Sequence, residues 1–221
     1  EHFYSEKILY LDDIWNCHSG FPYKREFNEA PISYKKYVTF GSFNNFRKIN
    51  DDVINIWSSI LKKVSNAKLV LKPSDTASFS KISEKFDRNG VLGSIIFLSH
   101  KKSFEEHLND YKKIDIALDT FPYNGVTTSF EAIWMGVPVL TMKGNNFNSR
   151  GGESINKNLD LDELICLSNN DYIKKAVSIS EDVNKIISLR KIIFDNALKS
   201  PLFDKKKFSK NFYNSLENIY N

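Results

Sequence analysis

Residues 114–141, IDIALDTFPYNGVTTSFEAIWMGVPVLT, read as strand, loop, helix and strand in quick succession. Ile114, Ile116, Ala117 and Leu118 form a short apolar run that ends at Asp119. Phe121-Pro122-Tyr123-Asn124-Gly125 breaks that run, because proline fixes φ and lacks an N–H while Asn-Gly favours a turn. Thr127 and Thr128 then open a helix, and Thr128 and Glu131 have the spacing of a capping box. Phe130, Ile133 and Trp134 recur at helical spacing, Gly136 closes the helix, and Val137 to Leu140 begins the next buried strand. A glycine followed by hydroxyls at a helix start, just past a strand, is physically an anion site, since free N–H groups and the positive end of the dipole point there. In an open α/β sheet ligands also bind beyond the carboxyl ends of the strands. A helix that is merely capped by Thr127 and Thr128 fits the same residues.

The same alternation runs through the chain. Strands are predicted at residues 37–41, 68–72 and 94–99, followed by helices from about Asn50 with core positions Val53, Trp57, Ile60, Leu61 and Val64, from Ser74-Asp75 with Phe79, Ile82 and Phe86, and over 103–112. Residues 164–167 make a short edge element, and helices follow over 170–178, 181–198 and 206–220, the last with Phe208, Phe212, Leu216 and Ile219 on one face. Strands alternating with helices at this spacing predict a doubly wound, Rossmann-like parallel sheet of the α/β class. Residues 1–36, rich in aromatics and turn formers, predict a helical turn over Glu1–Leu9 and then an irregular linker that packs on something, ahead of a domain formed by 37–221.

The chain has 221 residues, enough for one large domain with a full core. No apolar run approaches the roughly 18–20 residues of a membrane helix, so no membrane partner is expected. The net charge of +4 comes from scattered lysine pairs, without an arginine-rich or aromatic-interleaved stripe, so nucleic acid is not expected as a partner either. Cys17 and Cys166 form neither a disulfide framework nor a metal pair by spacing, which points to a reducing, cytoplasmic compartment. The first residue is Glu1, which predicts a portion of a longer protein.

Three loops with polar residues leave strand ends: Phe43–Lys48, His100–Ser103 and Asn124–Thr128. Together they have the groups to hold a base, a ribose and a diphosphate. Lys48 lies near a helix start, where a cation is electrostatically awkward, and opposite Thr127 it would neutralise charge on a departing phosphate. No dinucleotide or Walker fingerprint occurs. Asp160-Leu161-Asp162 reads as surface carboxylates, and His2, His18, His100 and His107 show no ligand spacing, so no metal and no other cofactor is expected.

From EHFYSEKI to SPLFD the chain resembles the O-GlcNAc-transferase family, the tetratricopeptide-repeat-bearing, UDP-sugar-dependent protein glycosyltransferases. FGSFNNFRKI is similar to the family loop in which an amide and a lysine meet the UDP diphosphate, implying Asn45 and Lys48. IIFLS followed by EEH resembles the segment near the uracil, implying His107 with Lys101 or Lys102. NGVTTSFE resembles the family's NGHTT loop, implying Asn124, Gly125, Thr127 and Thr128 at the β-phosphate and Glu131 at the ribose. Val126 replaces the histidine of the animal enzymes and removes one donor. The resemblance implies the C-terminal lobe of a GT-B enzyme that inverts at the anomeric carbon, uses no metal and moves GlcNAc or a similar sugar from a UDP-sugar to Ser or Thr of a protein acceptor. Lys48 would be the catalytic cation. An N-terminal lobe and repeat region would be its partners, supplied by the parent chain. A binding lobe without chemistry, or a transferase for another sugar or acceptor such as Asn, is the alternative.

Overall fold

A computed structural model describes residues 4–73, 76–99 and 101–220. The first three residues of the turn expected over Glu1–Leu9, the Ser74-Asp75 turn, His2 and His100 lie outside them. Strands β1 (Thr39–Ser42), β2 (Lys68–Leu71), β3 (Ile95–Phe97), β4 (Ile116–Leu118), β5 (Val139–Met142) and β6 (Ile165–Cys166) form one sheet in the order β3-β2-β1-β4-β5-β6. Every neighbouring pair is parallel. The helices are α1 (Ile32–Lys35), α2 (Asp51–Lys63), α3 (Thr76–Arg88), α4 (Phe104–Asn109), α5 (Thr127–Trp134), α6 (Gly151–Lys157), α7 (Asn169–Ser180), α8 (Val183–Asn196) and α9 (Lys205–Tyr220).

The order reverses direction between β1 and β4, where Phe40 pairs with Ile116 and Gly41 with Ala117. One half of the sheet winds outward through α2 and α3, the other through α5 and α6. Right-handed crossovers put these two sets of helices on opposite faces, and the loops leaving β1 and β4 diverge above the switch point. Gly41 has a steric reason to be glycine: a Cβ there would lie 2.5 Å from the Ile114 side chain.

The core follows the predicted periods. Val53, Trp57 and Ile60 of α2 are fully buried, as are Phe40, Leu69, Leu71, Ile116 and Leu140 of the sheet. Each such side chain stabilises the fold by roughly 1.5–3 kcal/mol relative to exposure. Asn50 caps α2, its side chain accepting from the Val53 N–H at 2.9 Å. α7 packs against both α2 and β5.

The segment before β1 is irregular from residue 4 to Pro31 and lies against the domain. Arg25 donates to the carbonyls of Trp134 and Phe194 at 2.8 and 3.0 Å, with its guanidinium over the Phe194 ring. Buried Arg190 donates to the Ile114 carbonyl at 3.0 Å, and Asp115 accepts from the N–H groups of Ile32 and Thr39. These bonds fix α1, α8 and the starts of β1 and β4 together.

Two expected apolar faces differ. Phe79 is 37% exposed and packs edge-on against Phe97 instead of joining the core. On α9, Phe212 and Ile219 are exposed, whereas Phe208 packs against the core and Lys207 pairs with Asp13 at 2.8 Å. Among the described residues no helix is long and apolar enough to cross a membrane.

Candidate functional site

The loop after β1 carries buried Asn44, exposed Asn45 and a 3-10 turn over Phe46–Lys48. Asn45 turns back on its own backbone, its side-chain oxygen accepting from the Arg47 N–H at 2.9 Å. Asn44 faces across the switch point and accepts from Thr128 Oγ1 at 2.9 Å. Lys48 donates to the Asn124 carbonyl at 2.8 Å and lies 4.0 Å from the Tyr123 ring centroid. Burial pulls its pKa below the usual lysine value, with the Asp119 carboxylate opposing.

The loop after β4 is organised by Asp119. Its Oδ1 accepts from the N–H groups of Gly125 at 2.7 Å and Thr120 at 2.9 Å, and its Oδ2 accepts from Thr141 Oγ1 at 2.7 Å. Burial raises its pKa to about 6, against the stabilising bonds from Gly125, Thr141 and Thr120 and the charge on Lys48. Buried Asn124 donates from Nδ2 to the Thr120 and Met142 carbonyls. Asn50 Nδ2 donates to the Phe121 carbonyl at 2.8 Å and ties this loop to the first.

The expected capping box does not form. The N-cap of α5 is Val126, without a side-chain cap; Thr128 is turned to Asn44, and Glu131 to a tertiary cluster. The helix start is therefore left with uncapped first-turn amides beside the Lys48–Asn124 contact, the electrostatic setting for an anion. Gly125 is packed tightly there: a Cβ would lie 2.5 Å from Thr128 Oγ1 and 2.6 Å from Asn44 Oδ1. Thr127 is exposed and Thr128 half-buried.

Beside this corner, Glu131 Oε2 receives His107 Nε2 at 3.0 Å and the Tyr111 hydroxyl at 2.8 Å. His107 Nδ1 lies 2.8 Å from Lys72 Nζ. Lys72 and Lys113 each pair with Asp110 at 2.7 Å, and Lys101 stands 4.0 Å from the same carboxylate. Burial works against the Asp110 charge, but the bonds from Lys113 and Lys72 outweigh it and hold the carboxyl below its usual range. Burial and the neighbouring Glu131 raise the Tyr111 hydroxyl well above its usual pKa.

The fold thus gathers Lys48, Asn124, Gly125, Thr127 and Thr128 at one corner and joins His107 to Glu131 beside it, with Lys101 at the margin and Asn45 facing outward. Asn44, Asp119, Lys72 and Tyr111 were not singled out from the sequence. Asp119 had a signal, as the acid closing a buried strand just before a glycine turn. Asp160 and Asp162 are exposed, and no group of three or more His, Cys, Asp or Glu among the described residues is arranged to hold a metal ion.

Residues 32–212 match glycosyl transferase family 41. A tomato (Solanum lycopersicum) protein named probable UDP-N-acetylglucosamine--peptide N-acetylglucosaminyltransferase SPINDLY is 33% identical over 224 residues, covering 97% of this chain and 23% of the relative. The Arabidopsis thaliana relative SEC, with the same enzyme name, is 28% identical, covering the whole of this chain and 23% of its own length. A solved Thermobaculum terrenum O-GlcNAc transferase mutant superposes with a TM-score of 0.86 at 28% identity, over 99% of this chain and 41% of that one. The chain spans about a quarter of the length of the curated relatives it matches.

Proposed function

The chain belongs to glycosyl transferase family 41, and from that premise we propose that it is the nucleotide-sugar lobe of a GT-B enzyme that transfers GlcNAc or a similar sugar from a UDP-sugar to Ser or Thr of a protein. The observation that carries this reading is the Lys48 ammonium held on the Asn124 carbonyl beside the uncapped start of α5. A diphosphate seated between them meets a cation on one side and helix-terminal N–H groups on the other. The His107–Glu131 pair next to it suits the nucleoside, the carboxylate accepting from ribose hydroxyls.

The chemistry follows from that placement. An acceptor hydroxyl attacks C1 of the sugar in line, the C1–O bond to the β-phosphate breaks, and configuration inverts. The electron pair leaves with UDP, and Lys48 and the α5 amides stabilise the charge growing on the β-phosphate. In this reading fixed protein charges take the part that a divalent cation plays in other transferases. The acceptor site, the general base and the repeat region belong to the remainder of the parent protein.

Lys48→Ala in the full-length parent tests it. Transferase chemistry predicts a rate loss of about a hundredfold or more. A modest change in UDP affinity with no transfer to lose would favour a binding lobe without chemistry.

A further inference from the structure

Lys72 follows β2, and its side chain is 4% exposed. Its ammonium lies 2.7 Å from Asp110 Oδ2, 2.8 Å from His107 Nδ1 and 5.2 Å from the centroid of the Phe43 ring. Neutralising Asp110 does not require it, since Lys113 already pairs with that carboxylate at 2.7 Å and Lys101 stands 4.0 Å away. The contact with His107 is what Lys72 adds.

The direction of that contact is fixed by chemistry. An ammonium has three donors and no lone pair, so Nδ1 of His107 must accept. The neutral ring then carries its proton on Nε2, and Nε2 is 3.0 Å from Glu131 Oε2, which as a carboxylate oxygen only accepts. Tyr111 adds a second donor to the same oxygen at 2.8 Å. Donors therefore run in one sense from Lys72 through His107 to Glu131, and both that reach the carboxylate fall on Oε2 rather than Oε1.

We propose that Lys72 is a positioning residue that, by donating to Nδ1 while Glu131 accepts from Nε2, holds the His107 ring in place as the Nε2–H tautomer and thereby orients the Glu131 carboxylate for the hydroxyls of a bound nucleotide. The tautomer half stands on the hydrogen bonds alone; the nucleotide half rests on the function proposed above.

The experiment is a long-range ¹H–¹⁵N spectrum of the histidine rings at neutral pH, with the His107 signals identified by their loss in His107→Gln, followed by UDP titration of the same samples. The unsubstituted chain should show Nε2 protonated and Nδ1 bare. Lys72→Met, which keeps the stem but not the charge, leaves Nδ1 without its donor while Nε2–H stays on Glu131, so the His107 ring signals should shift and broaden as the ring loses its fixed orientation, and UDP binding should weaken about tenfold. An Nδ1–H ring in the unsubstituted chain overturns the proposal whether or not the variant folds. So does a folded Lys72→Met chain whose His107 ring signals are unchanged, or one whose signals change while its UDP affinity does not. The expected change in the His107 signals in a chain that binds no UDP would support the positioning role and count against the nucleotide reading instead.

Discussion

The Lys48 ammonium donates to the Asn124 carbonyl at 2.8 Å, joining the loop after β1 to the loop after β4 across the sheet's switch point. The same ammonium lies over the Tyr123 ring, 4.0 Å from its centroid. Lys48→Met keeps the stem and removes the charge. We predict thermal stability close to that of the unsubstituted chain and a loss of UDP affinity of about tenfold or more, the usual worth of a hydrogen bond to a charged group. Calorimetric titration beside a melting curve checks both.

Asp119 has a folded pKa of about 6 against a model-peptide value of 3.8. The folded state therefore binds this proton more tightly than the unfolded state does. The stabilisation it brings is complete below about pH 4 and is lost as pH rises through about 6, a change on the order of 3 kcal/mol. Asp119→Asn keeps an oxygen for the N–H groups of Gly125 and Thr120 and turns its NH₂ to Thr141 Oγ1. Urea unfolding from pH 4 to 7 should show the variant gaining on the unsubstituted chain as pH rises and levelling off above about pH 6. A constant difference across that range would contradict the assignment.

Gly125→Ala places a methyl against Thr128 Oγ1 and Asn44 Oδ1, both within 2.6 Å of the added carbon. The hydroxyl and amide must separate, which opens the start of α5. We expect a stability cost of about 1–3 kcal/mol and loss of measurable UDP binding. Denaturant unfolding and titration of one preparation would show whether binding suffers more than the fold.

Trp57 is completely buried in α2. Trp57→Ala should cost about 3–5 kcal/mol in urea unfolding, without the selective loss of UDP binding expected for Lys48→Met in the population that remains folded.

The sheet was legible because each buried strand and each amphipathic helix carries its own period, as Val53, Trp57 and Ile60 do. In the candidate site, the glycine turn and the helix start of 124–128 were legible, because the backbone decides them. The site was less legible where tertiary contacts decide. Asn44 and Asn45 are adjacent amides, and only the turn over Phe46–Lys48 sends one across the switch point and the other back to the Arg47 N–H. Thr128 and Glu131 have capping-box spacing, yet Asn44 claims the hydroxyl and His107 with Tyr111 claims the carboxylate. Lys72 looked like a polar strand end because its partners, Asp110 and His107, come from a different helix–turn segment. A helical period likewise marks the apolar face of α9 without saying what covers it, and Phe212 and Ile219 are exposed.

The most direct measurement is calorimetric titration of the chain with UDP, once in magnesium and once in EDTA. If Lys48 and the α5 start hold the diphosphate, UDP binds with the same affinity in both. Affinity that appears only with magnesium, or no binding by a well-folded chain, would contradict the account.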